Sequence, residues 1–290
     1  MNYRHHFHAG NFADVMKHAL LTRLIRALEK KEKGFLYLDT HAGRGGYDLR
    51  VAETGDSLAR KPEWPDGIGR LWTLSHLPPE IGEYLDVVRA FDHQRGNVEP
   101  TLRFYPGSPW LARLLLRPQD RLVLCEKHPA ECAALCAEFA ADRQVVVREM
   151  DGYEAVRALL PPPERRALVL IDPPYEAQDE FAQVAAALGE GLRRLAGGVF
   201  VVWYPLTERA RVDEFFDAVR ALNPPPTLAV ELTVAGRGAS MKMPGCGLVI
   251  VNPPWKFSEE AESALRFLAP VLTQPPGGGG SHVRWLVAEK

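Results

Sequence analysis

At 290 residues, with 46% hydrophobic and 25% charged residues and no extended low-complexity run, the chain has the composition of a folded globular protein and excludes extensive disorder. No apolar stretch approaches the roughly 20 residues of a membrane helix, and the opening MNYRHHFHAGN holds no apolar signal core, so a cytoplasmic protein is expected. A net charge of -2 gives no global attraction for nucleic acid, so any such face has to come from local clustering.

The start of the chain is where basic residues gather: Arg4, Lys17, Arg23, Arg26, Lys30, Lys31, Lys33, Arg44 and Arg50, with His5, His6, His8 and His18 among them. Val15, Leu20, Leu24, Ile25 and Leu28 recur at helical spacing, which predicts an amphipathic helix over 12–31 stopped by Gly34. FLYLD at 35–39 is a short apolar run followed by THAGRGG, a strand and glycine turn of the kind that opens a nucleotide-binding α/β unit. Residues 50–105 hold Pro62, Pro65, Pro78 and Pro79 with interrupted helix signals and few strand candidates, which reads as an inserted helical subdomain between two parts of one core, 1–49 and 106–290. Core elements resume at Tyr105-Pro-Gly-Ser-Pro109, a turn in which Ser108 reads as a helix cap and Pro109 as the first helical residue.

Buried-strand runs follow at 121–125, 145–148, 168–171 and 199–203, separated by helical stretches, and this alternation implies a parallel sheet. Runs at 228–234, 247–251 and 282–287 lie without long helices between the first two, which suits an antiparallel edge. The four cysteines lack paired metal spacing, so no metal is expected.

In an open parallel sheet ligands bind outside the carboxyl ends of the strands, so these ends are read in order. The first ends in Asp39-Thr-His41-Ala-Gly43, whose glycines let backbone approach a nucleotide closely. The second ends in Glu126, placed to accept from two ribose hydroxyls; the third ends in Asp151-Gly152, where the acid can accept from an adenine amino group. The fourth ends in Asp172-Pro173-Pro174-Tyr175. An aromatic amine is a poor nucleophile because its lone pair is delocalised, so it has to be held and relieved of proton density. Asp172 can accept one amine hydrogen and the Pro173 carbonyl the other, the diproline fixes both acceptors, and Tyr175 offers a flat face for an extruded base.

These residues, Phe35 to Gly46, Glu126, Asp151-Gly152 and DPPY, resemble the amino-methyltransferase branch of the class I S-adenosylmethionine enzymes. More closely, YRHHFHAGNFADVMKH, LDTHAGRGGYDL, YPGSPWLAR, LIDPPYE, WYP and VNPPW resemble the bacterial 23S ribosomal RNA adenine-N6-methyltransferases of the RlmJ type, nearly end to end. The resemblance implies an α/β, Rossmann-like class I methyltransferase sheet with the helical insert, S-adenosyl-L-methionine as cofactor and 23S ribosomal RNA as partner. It implies that His18 and His41 help bind the cofactor, that Ser108, Glu126, Asp151 and Gly152 line the same site, that Asp172 is catalytic and that Tyr3 touches the RNA. With the strand-end reading, Gly43 and Asp172 join the cofactor-binding set, and Pro173 and Tyr175 join Asp172 in the catalytic loop. His41-Ala42 departs from the usual class glycines, a feature common in the amino-methylating branch.

Competing readings stand beside these. Asn252-Pro-Pro-Trp255 fits the same amino-methyltransferase pattern, but Asn252 follows an expected antiparallel strand at the far edge, which favours Asp172. Lys17 and His18 can be explained as a solvated helix face. A DNA adenine methyltransferase, a protein-glutamine methyltransferase and a non-catalytic RNA-binding module are the alternative functions. A monomer is expected.

Overall fold

The computed structural model describes residues 7–54, 61–236 and 241–289; Tyr3, Arg4, His5 and His6 lie outside them. The first helix, α1 (Phe12–Glu29), is capped by the Asn11 side chain, which accepts from the Ala13 and Asp14 amides. Then come β1 (Leu36–Asp39), β2 (Gly46–Asp48), α2 (Leu49–Thr54), a 3-10 turn at Trp64–Asp66, α3 (Ile68–Trp72), α4 (Pro79–Gln94), β3 (Phe104–Pro106) and α5 (Ser108–Leu115). The remainder runs β4 (Arg121–Glu126), α6 (Pro129–Glu138), β5 (Val145–Glu149), α7 (Gly152–Leu159), β6 (Ala167–Ile171), α8 (Glu180–Arg194), β7 (Val199–Pro205), α9 (Arg209–Ala221), β8 (Thr227–Thr233), β9 (Gly245–Val251), α10 (Phe257–Leu272) and β10 (Gly280–Val287).

The strands form one eight-stranded sheet in the order β10-β8-β9-β7-β6-β1-β4-β5. From β5 to β7 all pairings are parallel, while β9 pairs antiparallel with both β7 and β8, and β10 pairs antiparallel with β8. The chain steps from β1 outward to β4 and β5, then returns to β6 on the other side. The strand order therefore reverses between β1 and β6, and a crevice opens beyond their carboxyl ends.

Alternating side chains of each central strand enter opposite layers, as the pleat requires. Tyr37 packs with α1, α5 and α10 on one face, whereas Leu36 and Leu38 pack with α7, α8 and α9 on the other. The helices α3 and α4 join the first of these layers through Ile68, Leu71, Leu85 and Val88, so residues 50–105 share the apolar core of the rest of the chain. The sequence reading places no strand next to this stretch, but β2 and β3 form a separate antiparallel pair with Gly46 opposite Pro106. Three-residue strands leave too short a pattern for periodicity to reveal.

Two further expectations are corrected. The cap of α5 is Gly107, and Ser108 is the first helical residue, with Pro109 after it. The strand β9 is inside the sheet between β7 and β8, and the far edge is β10. The antiparallel direction of β9 still sends Asn252 to the opposite end of the sheet from Asp172, because Val251 pairs with Phe200 near the start of β7.

Candidate active site

Beyond the carboxyl ends of β1, β4 and β6 lies a cavity of about 1460 Å³, lined by every described residue of the expected site: His18, His41, Gly43, Ser108, Glu126, Asp151, Gly152, Asp172, Pro173 and Tyr175. Its size exceeds the roughly 300–1,000 Å³ of a single small-ligand pocket, leaving room for a nucleoside cofactor and a second planar group.

Two glycines are needed here for steric reasons. Gly43 takes a positive φ of 59° in the turn after β1. A Cβ on Gly152 would collide with the Thr40 carbonyl oxygen and lie 2.7 Å from His41 Cε1, so only glycine lets α7 start this close to the β1 loop. The acid groups also organise the backbone. Glu126 accepts from the Gly43 amide at 2.8 Å and from the His128 amide at 2.7 Å, holding the first two strand-end loops together with lone pairs to spare for hydroxyl donors. Asp151 caps α7 by accepting from the Tyr153 and Glu154 amides and is also paired with Lys127 at 3.0 Å. Although burial alone would raise the Asp151 carboxyl, the Lys127 bond and the cap hold it below its ordinary value.

Ser108 contributes differently from a cap: its Oγ donates to Asp39 Oδ2 at 2.6 Å. Asp39, fully buried, also accepts from the His41 amide at 3.3 Å. Burial pushes its carboxyl up to about 6 despite the Ser108 bond.

The two histidines present opposite chemistry. Thr40 Oγ1 donates its one proton to the Leu170 carbonyl at 2.9 Å, so the 2.8 Å contact with His41 Nδ1 is donated by the ring, and His41 Nε2 is left as an acceptor. Burial lowers the His41 pKa to about 4, against the pull of Asp151, consistent with a neutral ring. His18 Nδ1 lies 2.8 Å from the Tyr105 hydroxyl, which in turn meets the Tyr84 hydroxyl at 2.9 Å. Tyr84 and Tyr105 are fully buried, so the Tyr84 proton goes to Tyr105 and the Tyr105 proton to Nδ1; the opposite polarity would strand the Tyr84 proton. His18 therefore carries its proton on Nε2.

The helix α1 also supplies two residues for which a solvated face is the competing sequence reading, His18 being the one expected at the cofactor. Lys17 is 5% and His18 1% exposed. Lys17 Nζ donates to Asp172 Oδ2 at 2.6 Å and pairs with Asp14 Oδ1 at 2.9 Å. Burial alone would lower the Lys17 pKa, but Asp14 and Asp172 raise it well above its ordinary value, so the amine is charged. Burial raises the Asp172 carboxyl above its ordinary value, and the 2.6 Å contact to the charged Lys17 opposes that rise by favouring the carboxylate. The sequence signal for Lys17 was present: Asp14, Lys17 and His18 are polar residues one helical turn apart in a stretch otherwise dominated by apolar side chains. Tyr175 has a positive φ of 52°, its hydroxyl donates to the Trp203 carbonyl at 2.7 Å, and its half-buried ring packs against Phe181 and Trp203. That anchoring fixes the ring at the wall of the cavity beside Asp172.

The order of the strands, with acid-bearing loops converging on the crevice at the point of reversal, is that of a class I S-adenosylmethionine-dependent methyltransferase. Within that class, residues 32–287 match the family described as "Ribosomal RNA large subunit methyltransferase D, RlmJ", and the chain belongs to this family. It is 40% identical over 289 residues to proteins named "Ribosomal RNA large subunit methyltransferase J" from Escherichia coli K12 and from Haemophilus influenzae, covering all of both chains in each case. A crystal structure of a Legionella pneumophila protein, 37% identical, is similar with a TM-score of 0.85 over 96% of this chain and 98% of that one.

Proposed function

We propose that the protein transfers a methyl group from S-adenosylmethionine to the exocyclic N6 amine of an adenosine in 23S ribosomal RNA, with Asp172, Pro173 and Tyr175 as its catalytic loop. The observation that carries this reading is the Lys17-Asp172 pair inside the cavity that Glu126, His41 and Gly152 also line. The donor and acceptor set fits the cofactor: Glu126 for ribose hydroxyls, the Gly43 turn and Gly152 for close backbone approach, His18 as donor and His41 as acceptor. Bound S-adenosylmethionine supplies an electrophilic methyl on a sulfonium.

The residues of the chain then have separable tasks. Asp172 and the Pro173 carbonyl accept the two amine hydrogens, which turns the nitrogen lone pair out of conjugation. Lys17 holds Asp172 as an anion and fixes its Oδ2, leaving Oδ1 to face the amine. When the new N–C bond makes N6 cationic, Asp172 is the base placed to take the released proton. Tyr175 supplies a stacking face for an extruded adenine, a contact worth about 1–3 kcal/mol. Holding amine and methyl in line supplies much of the remaining acceleration. Tyr3, outside the described residues, is proposed to touch the RNA, and residues 50–105 to form a helical insert that helps to position it. We read the protein as a cytoplasmic monomer.

The test is transfer of radiolabelled methyl from S-adenosylmethionine to protein-free 23S ribosomal RNA and to duplex DNA, with Asp172→Ala and Asn252→Ala beside wild type. N6-methyladenosine in the RNA, lost only with Asp172→Ala, is the expected result. Transfer to DNA instead would make the protein a DNA enzyme, and cofactor binding without transfer would make it a binding module.

A further inference from the structure

The cavity is a poor host for a polyanion. Nine carboxylate residues line it against five lysines and arginines. Three of those five cations are already committed: Lys17 to Asp14 and Asp172, Arg44 to Glu131, and Lys127 to Asp151. At the start of the chain Arg23 and Arg26 are spent on Glu83, Glu260 and Glu29. Two cations of the cavity lining remain. Lys61 and Lys242 line the cavity, are exposed, and make no ion pair among the described residues. They come from distant parts of the chain: Lys61 precedes the 3-10 turn at Trp64–Asp66, and Lys242 precedes β9.

Lys242 is flanked by Met241 and Met243, both half-buried against the core and both lining the same cavity. A cation between two polarizable thioethers offers one group for a phosphate and two for the face of a base. An acidic cleft that admits RNA needs point charges where the backbone passes, and unpaired lysines are suited to phosphates as compact donors.

We infer that Lys61 and Lys242 form the phosphate contacts of the RNA strand that carries the target adenosine, so that the strand runs past the cavity mouth between these two segments. This assignment rests on the RNA-methylating reading above. On it, these two contacts account for part of the salt dependence of RNA binding, and the neutralised cations Lys17, Arg44 and Lys127 for none of it.

The experiment measures binding of a fluorescent single-stranded RNA oligonucleotide by anisotropy over a range of salt, together with S-adenosylmethionine affinity by calorimetry. The proteins compared are wild type, Lys61→Gln, Lys242→Gln, the double variant and Lys61→Arg/Lys242→Arg. Each glutamine is expected to lower the slope of log K against log salt by about 0.7, the double by about 1.4, with the arginine pair retaining the wild-type slope. Cofactor affinity is expected to be unchanged throughout. An unchanged slope in the double variant, a loss of cofactor affinity in parallel with RNA affinity, or absence of RNA binding by wild type would each overturn the assignment. Binding is read separately from methyl transfer, so failure of the catalytic reading appears as bound RNA that stays unmethylated, with the slopes still diagnostic.

Discussion

The chain contains two diproline loops of nearly the same form, and they sit at opposite ends of one sheet. Asp172-Pro173-Pro174-Tyr175 leaves β6, a parallel strand, at the crevice; Asn252-Pro253-Pro254-Trp255 leaves β9, which runs the other way. Each places a residue in the left-handed region, Tyr175 at φ 52° and Asn252 at φ 54°. Their polar heads have opposite employment. The Asp172 carboxylate faces the charged Lys17 within a cavity, whereas the Asn252 amide donates to the carbonyls of Ala196 and Gly198 at 2.8 and 2.7 Å and so latches the turn before β7. Tyr175 is half-buried and anchored through its hydroxyl, while Trp255 is 77% exposed. A four-residue motif acquires its chemistry from the direction of the strand that delivers it.

The sharpest way to break this comparison is to remove each head group in turn. Asp172→Ala is expected to lower kcat by about 10²–10⁴-fold, the scale of a lost general base, with S-adenosylmethionine affinity changed far less. A kcat within tenfold of wild type would remove Asp172 from the chemistry.

At the same end of the sheet, His41 is expected to remain neutral until pH falls to about 4. Between its ordinary value of 6.5 and about 4 the unfolded chain binds a proton that the folded chain does not, so His41 subtracts stability as pH drops through that window and contributes no slope above it. Asp39, raised to about 6, acts oppositely: between 3.8 and about 6 the folded chain keeps a proton the unfolded chain has lost, so stability from this group falls as pH rises. Global unfolding would mix the two. Residue-resolved NMR titration separates them, and a His41 midpoint near 6.5 would show that its ring is solvated.

Asn252→Ala is expected to cost about 1–3 kcal/mol of stability, measured by urea unfolding, because two carbonyls lose their donors. Its kcat should match wild type; a catalytic defect without destabilisation would reverse the roles of the two loops. Tyr105→Phe cuts the path from Tyr84 to His18 and is expected to weaken cofactor binding about 3–10-fold, corresponding to one neutral hydrogen bond of about 0.5–1.5 kcal/mol. The ¹⁵N shifts of His18 in wild type should report the Nε2–H form, and an Nδ1–H ring would contradict the chain of donors. Trp255→Ala should be smallest of all, within about 0.5 kcal/mol in stability and without effect on turnover.

Much of this was readable beforehand, for identifiable reasons. The central parallel strands are apolar runs because both faces are covered, so β1, β4, β6 and β7 announce themselves in order, and the first three each bring a terminal acid, Asp39, Glu126 and Asp172, to a known place. Lys17 escaped because a single lysine in a helix resembles a solvated one; only the three-dimensional meeting with Asp172, 155 positions away, identifies it. Ser108 reads as a cap in the sequence because serine before proline is a common cap, yet the buried Asp39 redirects its hydroxyl. The place of β9 within the sheet was hidden as well, since strand order between antiparallel neighbours depends on pairings that local sequence does not encode.

The short ladder of β2 and β3 has a consequence for how this protein can change. Gly46 faces Pro106, so the two ends of the stretch between them are held side by side, and that stretch is a closed loop of the chain whose described helices pack back onto the common core. Closing such a loop becomes only about 0.6 kcal/mol harder with each doubling of its length. Variation in length between α2 and α3 is therefore cheap, while α4 is pinned by its packing on α1. Relatives of this chain can differ in how much they carry between Thr54 and Ile68 and still deliver the same strand ends to the same crevice.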